Sequence, residues 1–266
     1  MSVFGATLKM KFKEQLQYRT AAISGIATQL FFGFMQISLF TAFLIQDQSS
    51  FTIAQMATYI WLQQAFFSLF KYWDVCKTEI SNKIVNGDIS YQLIRPVHLY
   101  DNWFFIVISK SLGMLFMRAI PMLIISFLLP IGIGLMLPVS IENLLLFLVS
   151  VCISAFLVTA INCITYVLTL YTLSPKGISS FMVAIAAFFA GSVVPIPMLP
   201  VWFQKILNFL PFRYVSDLPF RIYMGNINGI DALFQILIQI VWLVGIVGIS
   251  RFIVSRKTKK LVVQGG

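Results

Sequence analysis

Apolar residues run along this chain in long blocks, with polar residues gathered into short interludes between them. A helix that crosses the hydrocarbon core of a membrane needs about 20 largely apolar residues. Six stretches qualify, near 21–45, 53–72, 103–129, 142–170, 179–195 and 232–254. The pattern predicts an all-α polytopic membrane protein with six transmembrane helices, forming a single domain over 1–266. Residues 1–20 set Lys9, Lys11, Lys13 and Arg19 among apolar neighbours, which reads as an amphipathic helix lying in the membrane interface. The first apolar run is 25 residues long and lacks a small-residue cleavage site behind its basic lead-in, so it is expected to remain in the mature chain.

Two connections are longer than a hairpin requires. Residues 73–100 hold most of the polar chemistry. Within them 75–85 (VCKTEISNKIV) read as a helix, with Asn86-Gly87 as its stop. Asp88 can cap a short helix through Leu93, and Pro96 forces Arg95 out of helical geometry. Residues 196–231 are punctuated by prolines at 195, 197, 200, 211 and 219. In 201–210, Trp202, Phe203, Ile206, Leu207 and Leu210 recur at helical spacing, which predicts an amphipathic helix at the outer interface.

Composition confirms the class and adds an orientation. Charged residues make up 11% of the chain against 59% apolar, whereas a soluble domain carries roughly 25% charged residues. The net charge of +10 is best explained by topology. Fourteen of the 19 Lys and Arg residues fall on one side: four before the first span, Lys71, Lys77, Lys83 and Arg95 after the second, Lys176 after the fourth, and five at the C-terminus. Only Lys205, Arg213 and Arg221 fall on the other, while Lys110 and Arg118 lie within the third span. The positive-inside rule then places both termini in the cytoplasm. No basic patch with interleaved stacking aromatics is present, so nucleic acid is not an expected partner.

The chemistry of an enzyme is missing from the sequence. The single histidine, His98, lies in a loop, and no phosphate-cradling G-x-x-x-x-G-K-[ST] occurs. The three cysteines, Cys76, Cys152 and Cys163, have neither metal-ligand nor CxxC spacing. All nine acids (Glu14, Asp47, Asp74, Glu79, Asp88, Asp101, Glu142, Asp217 and Asp231) are expected at span ends or in loops. That argues against ion coupling by an intramembrane carboxylate, as a secondary transporter would commonly use. Arg118 is the exception among charged residues. It lies deep in the third span, about 22 Å beyond Trp103 at 1.5 Å per residue. It is expected either to face protein or a wet cavity, or to snorkel inward if that span begins near Leu112.

The loop run Asn86-Gly87-Asp88-Ile89-Ser90-Tyr91-Gln92-Leu93-Ile94-Arg95-Pro96 resembles the G-[DE]-[IL]-x-x-x-L-[LI]-R-P signature of ABC-2 type transporter permeases. The chain is similar in outline to the bacterial six-span members of that family. The resemblance implies that this loop is a coupling helix between spans two and three, seated in a cleft of a separate ATP-binding subunit. The docking residues it implies are Glu79, Lys83, Asp88, Tyr91, Leu93, Ile94, Arg95 and His98, with Arg118 as a pathway or interface residue. It further implies an exporter of two permease protomers, identical or similar, in the bacterial cytoplasmic membrane. Besides membrane lipid, no cofactor is expected on this chain, ATP and Mg²⁺ belonging to the partner. The runner-up is a secondary transporter or channel not powered by ATP.

Overall fold

The computed structural model describes residues 19–46, 52–70, 79–89, 92, 97–130 and 132–259, and scattered positions 5, 9–10, 13–14 and 17. Of the interfacial helix expected over 1–20, positions 5, 9–10, 13–14, 17 and 19–20 are described and the rest lies outside the described residues. Every described element is helical: α1 (Arg19–Gln46), α2 (Ile53–Ala65), α3 (Phe67–Phe70), α4 (Glu79–Val85), α5 (Leu99–Leu128), α6 (Ile141–Thr172), α7 (Pro175–Phe189), a 3₁₀ turn (Ile196–Met198), α8 (Val201–Leu207), α9 (Arg213–Tyr223) and α10 (Gly229–Thr258).

Helices occupy all six expected span positions, but not equally. Among the described residues four are long and apolar enough to cross a membrane: 22–43 within α1, and α5, α6 and α10. Their outward faces are oily, as with Phe31, Phe43, Ile124, Phe127, Leu145 and Val241, all exposed. In water such surface would be a liability, whereas in lipid it is the solvated face.

The second expected span is different. It is broken at Phe66 into a 13-residue α2 and the single turn α3, and from Met56 through Ala65 every residue is buried. A helix buried all round sits inside the molecule rather than against lipid. That accounts for its polar content, since its amides and hydroxyls meet protein. Gln63 Nε2 donates to the Gly191 carbonyl at 2.9 Å, Gln64 Nε2 to Gln36 Oε1 at 3.0 Å, and Trp61 Nε1 to the Ile133 carbonyl at 2.6 Å. A capping box between Thr52 and Gln55 starts this helix. The fifth expected span is likewise short: α7 has 15 residues, about 22 Å of helix. It ends at Gly191, whose φ of +74° turns the chain back toward the 3₁₀ turn.

Helix α6 is the hub, touching α3, α4, α5, α7, α9 and α10. Its buried face is rich in small and hydroxyl side chains, including Ser150, Ser154, Ala155, Thr159, Ala160 and Thr169. Small residues let neighbouring backbones approach closely, which is how helices pack when both faces are equally apolar. Thr159 and Thr169 satisfy their own hydroxyls by donating back to the Ala155 and Thr165 carbonyls at 2.7 Å.

Candidate functional site

Two regions along α6 carry the chemistry. Against its C-terminal half lies the loop singled out by sequence. Helix α4 forms over Glu79–Val85 and stops in a turn at Asn86, followed by Gly87 at φ +81°, as the sequence predicts. Ile80, Ile84 and Ile89 face inward and pack with Leu99, Tyr100 and Trp103 of α5, Tyr166, Val167 and Leu170 of α6, and Val254 of α10. This leaves Glu79 and Asp88 exposed and Lys83 half-buried. A turn follows, in which the Gln92 N–H donates to the Ile89 carbonyl at 2.9 Å, and Trp103 Nε1 donates to Gln92 Oε1 at 3.2 Å. Tyr91, Leu93, Ile94 and Arg95 lie outside the described residues.

The loop returns to the bundle at His98, which precedes α5. Its Nε2 is 2.7 Å from Ser255 Oγ of α10. Nearby, Asp101 Oδ2 pairs with Arg251 Nη2 at 3.1 Å. Burial holds the His98 imidazole below its usual range, with Arg251 reinforcing the shift and Asp101 opposing it. Both ends of this loop are therefore tied to the long helices.

Arg118 is the twentieth residue of α5, which starts at Leu99 rather than near Leu112. Its half-buried guanidinium packs on α1 at Gly25, where a Cβ would come within 2.6 Å of its Cζ. Gly25 thus makes room for the arginine.

The second region lies against the N-terminal half of α6 and centres on Asp217, which is 0% exposed. The sequence pattern places this acid at a span end or in a loop. Instead α9 is a buried helix that carries Arg213, Asp217 and Arg221 four residues apart, so all three share one face. Arg213 Nε donates to Asp217 Oδ2 at 3.1 Å, and Arg221 Nε lies 3.1 Å from the same oxygen. The Tyr59 hydroxyl of α2 donates to Asp217 Oδ1 at 3.2 Å. Each guanidinium has a further anchor: Arg213 Nη1 donates to Asn208 Oδ1, and Arg221 Nη2 to Gln204 Oε1 at 3.4 Å.

Further bonds fix α9 in place. Gln239 of α10, fully buried, donates through Nε2 to the Tyr214 carbonyl at 2.8 Å and to Ser154 Oγ at 2.7 Å. Asn143 at the start of α6 donates to the Ile222 carbonyl at 2.6 Å. The preceding helix α8 covers Val201–Leu207 rather than 201–210, leaving Trp202 and Ile206 exposed and Leu207 buried. The i, i+4 spacing of Arg213, Asp217 and Arg221 was the available signal for this network. Among the described residues no three His, Cys, Asp or Glu side chains converge as metal ligands.

A family model described as an ABC-2 family transporter protein matches residues 26–265. No curated protein matches the chain.

Proposed function

The chain belongs to the ABC-2 family of transporter proteins, and we propose that it serves there as the permease subunit of an ATP-driven exporter. Members of this family generally work with an ATP-binding subunit. The observation that carries the reading is the match over 26–265, together with the loop motif from Asn86 to Pro96. In this reading the six helix positions are six spans, both termini are cytoplasmic, and two permease protomers pair in a bacterial cytoplasmic membrane. ATP and Mg²⁺ bind to the partner, and this chain performs no chemistry of its own.

Docking falls on the loop between Glu79 and His98. Ile80, Ile84 and Ile89 are used for anchorage to α5, α6 and α10, which leaves Glu79, Lys83 and Asp88 on the outward side for a partner. Arg95 supplies an always-charged planar fork suited to a partner carboxylate. Pro96 restrains its backbone and lowers the ordering cost of binding. Because the loop base is packed on three long helices, movement of the ATPase is passed to their inner ends. Arg118, seated on Gly25, joins α1 to α5, and Arg118→Leu is expected to impair transport at unchanged membrane yield.

The test is co-purification of the ATP-binding subunit and substrate-stimulated ATP hydrolysis in Arg95→Ala, Tyr91→Asp and Leu93→Asp. Removing one partner of a desolvated charged pair costs about 2–5 kcal/mol, so Arg95→Ala should weaken the complex by a factor of tens or more. A complex that stays intact and coupled in all three variants would remove this loop as the docking element. Labelling of single cysteines at Ser255 and Asn226 with an impermeant reagent tests orientation. Reaction of both from one side would overturn it.

A further inference from the structure

Above the Asp217 network lies a cavity of about 200 Å³ lined by Gln204, Lys205, Asn208, Arg213 and Arg221, with Ile196 and Val201. Such a volume has room for several water-sized groups. Three cations line it, and among the described residues no carboxylate does. The nearest compensating charge is Asp217, and its oxygens already receive both guanidinium Nε atoms and the Tyr59 hydroxyl. Lys205 and the two arginines give the cavity a cationic lining, and both guanidinium groups share the one carboxylate of Asp217.

The two arginines are also fixed in advance. Each is oriented by bonds to Asp217 and to a second side chain, Asn208 or Gln204. Gln204 is itself held, its Nε2 donating to the Leu199 carbonyl at 2.7 Å. Preorganised guanidinium groups are the usual receptors for tetrahedral oxyanions, which they engage with short, charge-assisted hydrogen bonds. Lys205 adds a point charge at the exposed rim, on the last turn of α8. The same short helix exposes Trp202 and Ile206, with Phe209 just beyond it at 79% exposed. An aromatic and aliphatic face of this kind rests at the level of lipid headgroups.

We propose that this cavity is a binding site for a phosphate-class oxyanion, presented as a phospholipid headgroup or as the free ion. The site lies against the opposite half of α6 from the docking loop and makes no use of the ATPase. It goes beyond the transport reading, and its test stands apart from that reading.

The full chain, purified without its ATPase in maltoside detergent, is titrated calorimetrically with inorganic phosphate and with dihexanoyl phosphatidylglycerol. Dihexanoylglycerol serves as the uncharged control. Saturable binding is expected for the phosphatidylglycerol, weakening as sodium chloride is raised. Lys205→Gln should weaken it about tenfold, the equivalent of one charge-assisted hydrogen bond, and Lys205→Arg should restore it. Lys205 is exposed, so an unchanged thermal midpoint in both variants verifies the fold. If phosphate also saturates and responds to Lys205→Gln, the free ion is sufficient. If only the phosphatidylglycerol does, the source is the lipid. The proposal is overturned if neither anion saturates, if dihexanoylglycerol binds equally well, or if Lys205→Gln leaves the affinity unchanged.

Discussion

Against the N-terminal half of α6 the chain buries charge among its apolar side chains, whereas against the C-terminal half aliphatic and aromatic side chains are buried and charge stays near the surface. Asp217, fully buried, is held by two arginines and a tyrosine from two helices. At the other end the pair of Asp101 and Arg251 has side chains 25% and 54% exposed, and the packing is done by Ile80, Ile84, Trp103, Tyr166 and Val254. Directional networks specify one arrangement, because each member loses its partner if the geometry changes. Apolar packing with exposed polar ties tolerates small displacements. The difference assigns rigidity to the α9 end and adjustability to the loop end, where a moving partner would have to be followed.

Replacing Asp217 is the largest expected perturbation. Asp217→Ala removes the carboxylate shared by the buried Arg213 and the half-buried Arg221, and breaking a buried pair by removing one partner costs about 3–5 kcal/mol. The expected result is a large loss of monodisperse protein in detergent and a sharply lowered thermal midpoint. Asp217→Asn should do less damage, since it retains an acceptor. An effect no larger than that of Asp101→Ala would erase the contrast between the two ends.

Gln239→Leu comes next. It removes the donor to Ser154 Oγ and to the carbonyls of Tyr214 and Ser150. Leaving buried acceptors unsatisfied costs about 1–3 kcal/mol, read as a lowered midpoint with normal membrane insertion. A variant as stable as the parent would mean that the Gln239 bonds do not hold α9 in place.

Much of this contrast could be read from sequence, but not all of it. Apolar runs place six helices within a few residues of where they form, because lipid exposure demands continuous apolar faces. The same rule does not reveal that 53–72 is broken at Phe66 and enclosed by protein. Its glutamines, Thr58 and Tyr59 mark a helix surrounded by protein, and its break at Phe66 has no proline or glycine to announce it. Arg213, Asp217 and Arg221 were legible as loop charges only. Their four-residue spacing implied a shared helical face, but burial of that face depends on Tyr59 and α6, which are remote in sequence. In the loop from Glu79 to His98 the turn at Asn86-Gly87 is legible from local chemistry, and the packing of Ile80, Ile84 and Ile89 against the bundle is not.

At the loop end the polar ties should be individually weak. Asp101→Asn breaks a part-exposed ion pair, a change worth under about 1 kcal/mol. The midpoint should move little, and less still at high salt. A loss comparable with that of Gln239→Leu would show that charge organises this end too.

The smallest effect expected is a pH dependence at the same place. His98 Nδ1 is buried without a hydrogen-bond partner among the described residues, while Nε2 meets Ser255 Oγ. Burial favours the neutral ring and lowers its pKa in the folded chain, Arg251 acts in the same direction, and Asp101 opposes them. The unfolded chain therefore binds a proton more readily than the folded one, and stability rises with pH across this titration. His98 makes its full contribution above its ordinary range near about 6.5. That contribution is lost as pH falls through the lowered folded value, where an added proton on Nδ1 finds no acceptor. Contact between the loop end and α10 should loosen on mild acidification, read as faster hydrogen exchange around residues 98–102 and 251–258. His98→Gln keeps a group able to reach Ser255 and removes the titration, so exchange there should become insensitive to pH in this window. If the variant keeps the parent's acid response, His98 is not the group that loosens this end.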